Sequence, residues 1–421
     1  METLPSEPNL PRTAAQRPRH TTAQRAVLAL NIFVVVGCLA GAGALVYGKD
    51  QLDGRLQTEK FEPTTPAPTA PGSTVVGQST LATVPQETFA PADPQAQNFL
   101  ITGSDNNACY DEGSPWAGAA EGRDNIGSRS DTIMVIRVDP LTRAAAVLSF
   151  PRDLWVSIPG KSKNRINTAY VQNDYSLLAQ TLAENFGIAI DHYIQVDFCA
   201  FKKIVDAVGG VSVPFDTRVI DPHVGLDVPA GCHLFTGDEG LAYVRSRHLT
   251  AVATDGTKAQ DRASDLGRIS RQQDFLRRVL QKALDKGLMN PTVARALITE
   301  LQTNIVTEQG FSIDDMLTFA GVMHDVPPDS IRTYQIQTYG KVIQGSSVLV
   351  QVQNDNMAAI LAVFQGTAPL ATAPAQVADP STSVGGTGTV VGQPATTTTA
   401  VIVGPDDFVV GDIVPSKDIK C

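Results

Sequence analysis

The stretch that decides the fold is residues 130–153, SDTIMVIRVDPLTRAAAVLSFPRD. It contains two nearly continuous apolar runs, residues 131–138 and 144–150, separated by five residues that include Pro140. Two such runs around a short turn predict a pair of antiparallel strands. Because neither run alternates with polar residues, we expect both strands to lie inside a sheet that is covered on both faces.

Helical and extended segments alternate after this stretch. Apolar residues at helical spacing predict helices over residues 177–186, 201–208 and 270–284, and residues 192–197 fit a strand. This alternation predicts an α/β (α+β) fold with a mixed central β-sheet flanked by helices. Residues 248–264 show little apolar periodicity, so we expect an irregular loop there.

Arginine and aspartate side chains stand at the ends of the predicted strands and near the start of the last helix. Arginine forks match phosphate oxygens, and carboxylates hold a hard divalent cation over the same phosphates. A single Arg–Asp pair is more often a surface salt bridge, but four clusters beside apolar strands favour a pyrophosphate site. The sequence contains no Gly-x-Ser-x-Gly elbow and no phosphate-binding Gly-x-x-x-x-Gly-Lys-Ser/Thr loop. The clusters are Arg129 with Asp131, Arg152 with Asp153, Arg245 with Arg247, and Asp265 with Arg268, Arg271 and Gln272.

Two members of the last cluster are spaced for a common ligand. Arg268 and Gln272 are four residues apart at the predicted helix start, so their side chains share one face. The start of a helix also favours an anion, because its N–H groups are unpaired. Ordinary surface charges on an amphipathic helix are the alternative.

The N-terminal part of the chain contains a candidate membrane anchor. Residues 26–48 are uncharged and mostly apolar. At about 1.5 Å per residue, they are long enough for a transmembrane helix through a hydrocarbon core of about 30 Å. The arginines before them predict that residues 1–25 are cytoplasmic and that the rest of the chain is extracytoplasmic. A cleaved signal peptide is the alternative, although this apolar stretch exceeds the usual length of a signal-peptide core.

Composition divides the rest of the chain into three parts. Residues 49–97 read as a Pro- and Thr-rich stalk, and residues 98–366 are long enough for one large domain. Residues 367–421 form a low-complexity C-terminal tail that we expect to be disordered. The formal net charge of −10 argues against a nucleic-acid partner, because phosphate backbones attract the opposite charge.

Four cysteines follow the predicted span: Cys109, Cys199, Cys232 and Cys421. They would lie outside the cytoplasm, where disulfides persist. Sequence does not fix their pairing. Because Cys421 ends a tail that we expect to be mobile, a pair among the other three is favoured, and Cys199–Cys232 is the pair that we predict.

The order of these motifs resembles the LytR-CpsA-Psr (LCP) family of cell-wall glycopolymer phosphotransferases. The likeness covers roughly residues 98–290 and consists of seven motifs in the family's order. One departure is Leu266, which stands where the family usually has Phe. The motifs are NFLITGSD (98–105), RSDTIMVIRV (129–138), LSFPRDLWVSI (148–158), RINTAY (165–170), IVDAVGGVSV (204–213), GLAYVRSR (240–247) and DLGRISRQQ (265–273).

This resemblance implies a substrate, partners and a cofactor. A long apolar cavity between sheet and helices is expected to hold a polyprenyl chain. The implied enzyme is an Mg²⁺- or Mn²⁺-dependent phosphotransferase at the outer face of the cytoplasmic membrane. It would move a glycopolymer from a polyprenyl-pyrophosphate carrier to a peptidoglycan hydroxyl. The chain looks like actinobacterial members, which suggests arabinogalactan or a capsule-like glycan, and then teichoic acid, as the polymer.

Matched motif by motif, the resemblance assigns roles to individual residues. Asp105 and Asp131 match the family's metal ligands. A carboxylate must accept the proton of the attacking hydroxyl, and Asp131, Asp153 and Asp265 are the candidates, with Arg152 beside them. The residues that match pyrophosphate-contacting positions are Arg129, Arg152, Arg245, Arg247, Arg268 and Gln272.

Two functions of other kinds remain open from the sequence. One is a polyprenyl-pyrophosphate phosphatase that uses water as the acceptor. The other is a non-catalytic regulator of the cell envelope that binds a lipid carrier or glycan. A cytoplasmic regulator is hard to reconcile with a domain that follows an N-terminus-inside span.

The charge distribution around residues 26–48 predicts the topology of the chain. A phosphatase reporter fused after residue 97 should be active outside the membrane, and a reporter that works only in the cytoplasm should be inactive there. The opposite pattern of activities would end the cell-wall interpretation.

Overall fold

The computed structural model describes most of the chain from residue 95 onward, and Arg55–Cys421 form one compact unit. The predicted anchor, residues 26–48, lies outside the described residues. Among the described residues, no helix combines the length and apolar character needed to cross a membrane. The described residues are 57–59, 95–104, 109, 113–119, 130–171, 174–286, 291–302, 304–327, 330–377, 401–403, 407–409, 413–416 and 418–421.

Strands and helices alternate as the sequence indicates. The strands are β1 (Gln57–Glu59), β2 (Gln97–Ser104), β3 (Thr132–Asp139), β4 (Ala144–Phe150), β5 (Trp155–Val156), β6 (Asn164–Arg165), β7 (His192–Asp197), β8 (Val211–Phe215), β9 (Arg218–Asp221), β10 (Leu226–Val228), β11 (Gly231–Phe235), β12 (Thr250–Val252), β13 (Lys258–Gln260), β14 (Ile305–Glu308), β15 (Arg332–Gln335), β16 (Thr338–Ile343), β17 (Ser346–Gln351), β18 (Val401–Val403) and β19 (Asp407–Val409). The α-helices are α1 (Ser176–Phe186), α2 (Phe198–Ala207), α3 (Gly237–Arg245), α4 (Ser264–Asp285), α5 (Pro291–Leu301), α6 (Ile313–Asp325) and α7 (Asp355–Phe364).

The predicted hairpin lies within a mixed seven-stranded sheet of order β1-β14-β7-β2-β3-β4-β15. β3 is antiparallel to both β2 and β4, whereas β2 is parallel to β7 and β4 is parallel to β15. In the turn, Asp139 Oδ1 accepts a hydrogen bond from the N–H of Leu141 at 3.0 Å. The predicted mixed central sheet is therefore confirmed.

One face of this sheet packs against α1 and α7. Leu100, Leu148 and Tyr193 of the sheet share a hydrophobic cluster with Leu182 of α1 and Ile360 of α7. Burying a side chain of this size contributes about 1.5–3 kcal/mol relative to leaving it exposed. This cluster fixes the sheet from one side.

Helices α4 and α6 pack on the opposite face of the sheet. Neighbouring residues of a strand point to opposite faces, so the residues next to those of the first cluster contact these two helices. Phe99, next to Leu100, packs on Phe319 of α6 with ring centroids 4.3 Å apart. Gln273 of α4 donates to Ser149 Oγ at 2.9 Å and to the carbonyl of Tyr334 at 2.7 Å. Helices thus flank both faces of the sheet, as predicted.

A smaller β-structure follows α2. It consists of a sheet of order β10-β9-β12-β13 and the pair β8–β11. Phe215 and Phe235 of this part join Tyr243 of α3 and Phe275 of α4 in a second hydrophobic cluster. The prediction of an irregular loop over residues 248–264 is wrong, since β12 and β13 pair there and β12 extends the sheet from β9.

Helix α4 begins at Ser264, earlier than the predicted start at residue 270. Arg268 and Gln272 therefore lie in later turns of the helix than the sequence indicated. Gly267 permits this early start, because a Cβ at that position would lie 2.5 Å from Asp261 Oδ2. The helix can pass this carboxylate closely only without a side chain there.

The predicted Cys199–Cys232 disulfide is wrong, because the structure pairs Cys109 with Cys199 and Cys232 with Cys421. Lys202 Nζ donates to the carbonyl of Cys109 at 2.9 Å, which holds this cysteine beside α2. The composition of the C-terminal tail therefore did not predict which cysteines lie close together in the folded chain.

The described parts of residues 367–421 pack on the domain, contrary to the expectation of disorder. Gln376 is buried and accepts a hydrogen bond from the N–H of Gln335 at 2.9 Å. Ile413 packs against the second hydrophobic cluster, and the N–H of Ser416 donates to the carbonyl of Pro214 at 2.9 Å. These contacts bring the end of the chain to Cys232.

Digestion without reductant should release peptides that link Cys109 to Cys199 and Cys232 to Cys421. Cys109→Ser should lower the free energy of unfolding by roughly 2–5 kcal/mol, because the bond closes a long loop in the unfolded chain. Urea denaturation of wild type and variant measures this difference, with Cys38→Ser as the control that leaves both links intact. Recovery of a Cys199–Cys232 peptide would contradict the observed pairing.

Candidate active site

The predicted site lies where the central hairpin meets one edge of the sheet. β3 starts at Thr132, directly after Asp131, and β4 ends two residues before Arg152. Because Gly103 of β2 pairs with Thr132, the end of β2 shares this edge. Antiparallel pairing therefore brings Asp131 and Arg152 together across the hairpin.

Asp131 receives guanidinium groups from three parts of the chain. Arg152 Nη1 donates to Asp131 Oδ1 at 2.8 Å, and Arg247 Nη2 donates to Asp131 Oδ2 at 3.1 Å. Arg268 Nη2 donates to the backbone carbonyl of Asp131 at 2.9 Å. The carboxylate of Asp131 thus joins the end of β4 to the segment after α3, and its backbone carbonyl binds α4.

Asp265 is a second carboxylate shared by the same arginines. Its Oδ1 lies 3.0 Å from Arg268 Nε, 3.3 Å from Arg247 Nε and 3.9 Å from Arg152 Nε. Its other oxygen, Oδ2, is buried and accepts no hydrogen bond among the described residues. One carboxylate oxygen therefore lies among three guanidinium groups and offsets the repulsion between their positive charges.

These contacts set the charge state of the cluster. Burial by itself would raise the pKa of Asp265, but Arg268, Arg247 and Arg152 outweigh burial and hold that pKa below its ordinary value. For Arg247, burial and the neighbouring Arg268 lower the pKa of the guanidinium. A carboxylate that stays ionised so readily is a weak base. Asp265 is therefore better suited to holding arginines than to accepting a proton.

A cavity of about 190 Å³ opens beside this cluster. It is smaller than the roughly 300–1,000 Å³ of typical ligand pockets, so it fits a head group better than a long chain. The apolar cavity for a polyprenyl chain stays a prediction. The residues proposed from sequence that line this cavity are Asp131, Arg245, Arg247, Arg268 and Gln272.

Arg245 and Gln272 reach the cavity from neighbouring helices. Arg245 ends α3, and its Cζ lies 4.1 Å from the ring centroid of Phe198, which orients the guanidinium. Gln272 Nε2 lies 3.1 Å from Thr132 Oγ1 and 3.1 Å from the carbonyl oxygen of Val244. Arg268 and Gln272 share one helix face, as their spacing predicts.

Of the described residues selected from sequence, Arg152, Asp153 and Asp265 do not line the cavity. Asp153 lies 3.5 Å from Arg152 Nε and 3.2 Å from Arg165 Nε, so it positions these arginines. Asp105 and Arg129 lie outside the described residues, and their roles stay predictions.

A second ion pair holds α4 in place beneath the site. Arg271 Nη1 donates to Asp261 Oδ2 at 2.9 Å, and the two side chains are 2% and 1% exposed. Arg271 Nη2 also donates to the carbonyl of Ser246 at 2.5 Å, and Asp261 Oδ1 accepts from the N–H of Ala263 at 3.0 Å. Buried charges need such partners, so Arg271 supports the site instead of facing a ligand.

Sequence reasoning missed several residues that line the same cavity. Asp221 ends β9, His223 follows it, and His248 follows Arg247. No motif marked the first two, because the antiparallel pairing of β9 with β12 is what brings them to the cavity. His248 stood next to a selected arginine, and that position was its only signal.

The carboxylates of the site are compatible with a divalent cation. Each oxygen of Asp131 accepts a hydrogen bond from an arginine, and carboxylate oxygens are the ligands that hard divalent cations prefer. Mg²⁺ typically uses one or two carboxylates together with substrate phosphates and water. Among the described residues, no group of three His, Cys, Asp or Glu side chains is placed to hold a metal by itself. The donor set therefore fits a cation that arrives with a phosphate ligand.

Asp265→Asn should destabilise the folded chain in a pH-dependent way. Because its pKa is lowered on folding, the ionised Asp265 contributes stability above the unfolded-state pKa of about 4, and this is lost as pH falls through the folded value. We expect a loss of about 3–5 kcal/mol at pH 7, typical of leaving buried charges unpaired. Urea denaturation at several pH values measures it. The exposed Asp227, paired with Arg218, supplies the control variant Asp227→Asn, and an equal loss in both would contradict this role.

Comparison with known proteins agrees with this arrangement of motifs. A family model described as the LytR_cpsA_psr family matches residues 73–363. The probable cell wall biosynthesis protein LcpB of Corynebacterium glutamicum is 37% identical over 202 residues, which cover 48% of this chain and 45% of that protein. The biofilm regulatory protein A of Streptococcus mutans is 27% identical over 271 residues, covering 61% and 60%. The chain thus matches about half the length of these relatives.

A solved structure resembles the fold as a whole. The LytR-Csp2A-Psr enzyme from Actinomyces oris superposes with a TM-score of 0.51 at 22% identity, covering 66% of this chain and 95% of that one. At this identity the likeness concerns the fold. The family match extends over well more than half of the sequence, and it includes each motif from which the site was derived. The chain therefore belongs to the LytR-CpsA-Psr (LCP) family.

Proposed function

We propose that this protein is a membrane-anchored phosphotransferase that moves a glycopolymer from a polyprenyl-pyrophosphate carrier to a peptidoglycan hydroxyl. The observation that carries the proposal is the convergence of three guanidinium groups on one cavity. Arg245, Arg247 and Arg268 line the cavity, and Asp131 and Asp265 hold Arg247 and Arg268 there. Guanidinium groups fixed side by side in this way match the phosphate oxygens of a pyrophosphate diester.

The chemistry needs little more than position and charge. A sugar hydroxyl attacks the polymer-side phosphorus in line with the departing polyprenyl phosphate, and negative charge grows on the leaving oxygen. Fixed guanidinium groups stabilise that charge without having to reorganise, because Asp131 and Asp265 already hold them. No covalent protein nucleophile is required, which agrees with the absence of a serine elbow in the sequence.

The carboxylate Asp131, together with Asp105, is where a divalent cation would bind. When bound, Mg²⁺ or Mn²⁺ would neutralise part of the phosphate charge. Because Arg247 donates a hydrogen bond to the Asp131 carboxylate, a cation bound to Asp131 and the Arg247 guanidinium would contact the same phosphates. The support for this cofactor is the family resemblance and the preference of hard divalent cations for carboxylate oxygens.

The substrate and location follow from the relatives and from the N-terminal sequence. LcpB of C. glutamicum is described as a probable cell wall biosynthesis protein, which favours a wall polymer as the cargo. Arabinogalactan is the first candidate for this actinobacterial type, and teichoic acid is the second. Residues 26–48 would anchor the chain, with the N-terminus in the cytoplasm and the site outside.

A direct assay distinguishes transfer from the other functions. The purified chain is incubated with a polyprenyl-pyrophosphate-linked disaccharide and peptidoglycan fragments, with and without Mg²⁺. Disaccharide on peptidoglycan supports transfer, and polyprenyl phosphate with free disaccharide phosphate supports a phosphatase. Donor binding with no product would contradict the enzyme and support a binding regulator.

Arg245→Met should lower the rate of polyprenyl phosphate release by about 10²–10³-fold, because it removes one charge contact to the transition state. The melting temperature should change little, since the side chain lies at the cavity surface over Phe198. Arg218→Met is the control, since Arg218 pairs with Asp227 on the surface. Equal rates in both variants would remove Arg245 from the mechanism.

A further inference from the structure

The cavity wall contains a buried carboxylate that the proposed phosphate chemistry does not use. Asp221 is 0% exposed and ends β9. Its Oδ2 accepts from Ser246 Oγ at 2.6 Å and from the N–H of His248 at 3.2 Å, and its Oδ1 accepts from the N–H of His223 at 3.0 Å. Burial by itself would raise the pKa of Asp221, but these hydrogen bonds, led by that of Ser246, lower it. Asp221 is therefore an ionised and rigidly held anion.

His223 places its ring between this anion and the cavity. Its Nδ1 lies 3.1 Å from Asp221 Oδ1, and its side chain is 69% exposed and lines the cavity. An ionised carboxylate at Nδ1 favours the tautomer with its proton on that nitrogen, so Nε2 carries the lone pair. Among the described residues, Nε2 makes no hydrogen bond that would occupy this lone pair.

The backbone around His223 is tightly confined. A Cβ on Gly118 would lie 2.3 Å from the carbonyl oxygen of His223, and a Cβ on Gly225 would lie 1.9 Å from the carbonyl oxygen of Pro115. The ring of His248 lies against that of His223 with centroids 4.5 Å apart, and Gln260 Nε2 lies 3.0 Å from His248 Nδ1. The backbone of His223 is thus confined, and its ring contacts Asp221 and the ring of His248.

The carboxylates selected from sequence are poor candidates for the proton acceptor. Both oxygens of Asp131 accept hydrogen bonds from guanidinium groups, and Asp153 lies between Arg152 and Arg165. Asp265 is shared by three arginines. Pairing with guanidinium groups stabilises the ionised carboxylate, so each would be a weak base.

We propose that His223 is the general base that accepts the proton of the acceptor hydroxyl, and that Asp221 is the positioning residue that fixes its ring. This rests on the proposed function, and it assigns the step that the arginine–carboxylate cluster leaves open. Imidazole is the side chain suited to proton transfer near neutral pH.

The step balances in atoms and charge. The acceptor oxygen forms a bond to the polymer-side phosphorus, and the bond from that phosphorus to polyprenyl phosphate breaks with its electron pair on the leaving oxygen. The hydroxyl proton moves to His223 Nε2, and the imidazolium that results later returns it to water. Asp221 stabilises the imidazolium across the 3.1 Å contact. The charged groups that line the cavity with His223 are Asp131, Asp221, Arg245, Arg247 and Arg268, and His248 is a second titratable group there.

His223→Gln tests the proposal, because glutamine keeps a polar side chain that cannot accept the proton at neutral pH. With the polyprenyl-pyrophosphate-linked disaccharide and peptidoglycan fragments, release of polyprenyl phosphate should fall by about 10²–10⁴-fold. The dissociation constant for polyprenyl pyrophosphate should stay within threefold, since the arginines remain. His324→Gln is the matched control: this exposed histidine also pairs with an aspartate, Asp325, and lies on α6.

Chemical rescue of a second variant, His223→Gly, provides a readout that is independent of whether His223→Gln folds. His223→Gly leaves space at the cavity wall, and added imidazole should raise the rate of this variant at least tenfold. Imidazole should not affect His324→Gly. Absence of rescue, together with a wild-type rate in His223→Gln, overturns the assignment of His223 as base.

Asp221→Asn distinguishes a positioning residue from a structural one. If Asp221 acts through His223, its substitution lowers kcat in the wild-type background but has little further effect in His223→Gln, since coupled residues are not additive. A residue that only supports the fold would cost the same in both backgrounds, and that result would overturn its role.

Failure of the two proposals can be told apart in the same assay. If the wild-type chain releases no polyprenyl phosphate with either peptidoglycan or water as the acceptor, the proposed function and the role of His223 are both overturned. A wild-type chain that transfers, with a His223→Gln variant within twofold of its rate, overturns the role of His223 alone.

Discussion

The site depends on two carboxylates, Asp131 and Asp265, that hold arginines from separate parts of the chain within hydrogen-bonding distance. Two guanidinium groups about 4 Å apart repel each other by about 4 kcal/mol at the effective dielectric of a protein surface. Oδ1 of Asp265 lies within 4 Å of nitrogens from Arg152, Arg247 and Arg268, so one oxygen offsets much of this repulsion. The sheet edge, the end of α3 and the first turns of α4 are positioned by this arrangement, and so is the cavity beside them.

Much of the fold follows from patterns that are local in sequence. The hairpin of β3 and β4 and strand β7 were predictable because apolar runs of strand length are bounded by turn residues. Most of the charged cluster was predictable too, because arginines and aspartates at strand ends collect at one edge when the strands pair. The start of α4 was predicted too late, since residues 264–269 include Ser264, Gly267 and Arg268 and are held by tertiary contacts such as that of Arg268 with the backbone carbonyl of Asp131. Apolar periodicity carries no signal for such a turn.

Features that depend on long-range contacts were not predictable. Asp221 and His223 reach the cavity through the pairing of β9 with β12, and no spacing in the sequence reveals that pairing. The disulfides illustrate the same limit: composition marked residues 367–421 as low-complexity, yet Ile413 and Ser416 are held by the second hydrophobic cluster and by Pro214. A few anchoring contacts are enough to order a chain end whose average composition is typical of disorder.

The Cys232–Cys421 bond has a consequence for the order of events during synthesis. The two cysteines are 189 residues apart, so at about 5–20 residues per second Cys232 is made roughly 10–40 s before its partner exists. During that interval its thiol can react with any other cysteine already made. Cys109 and Cys199 precede it in the chain and pair with each other, which removes both as competitors. If the Cys109–Cys199 bond closes first, Cys232 stays available for Cys421.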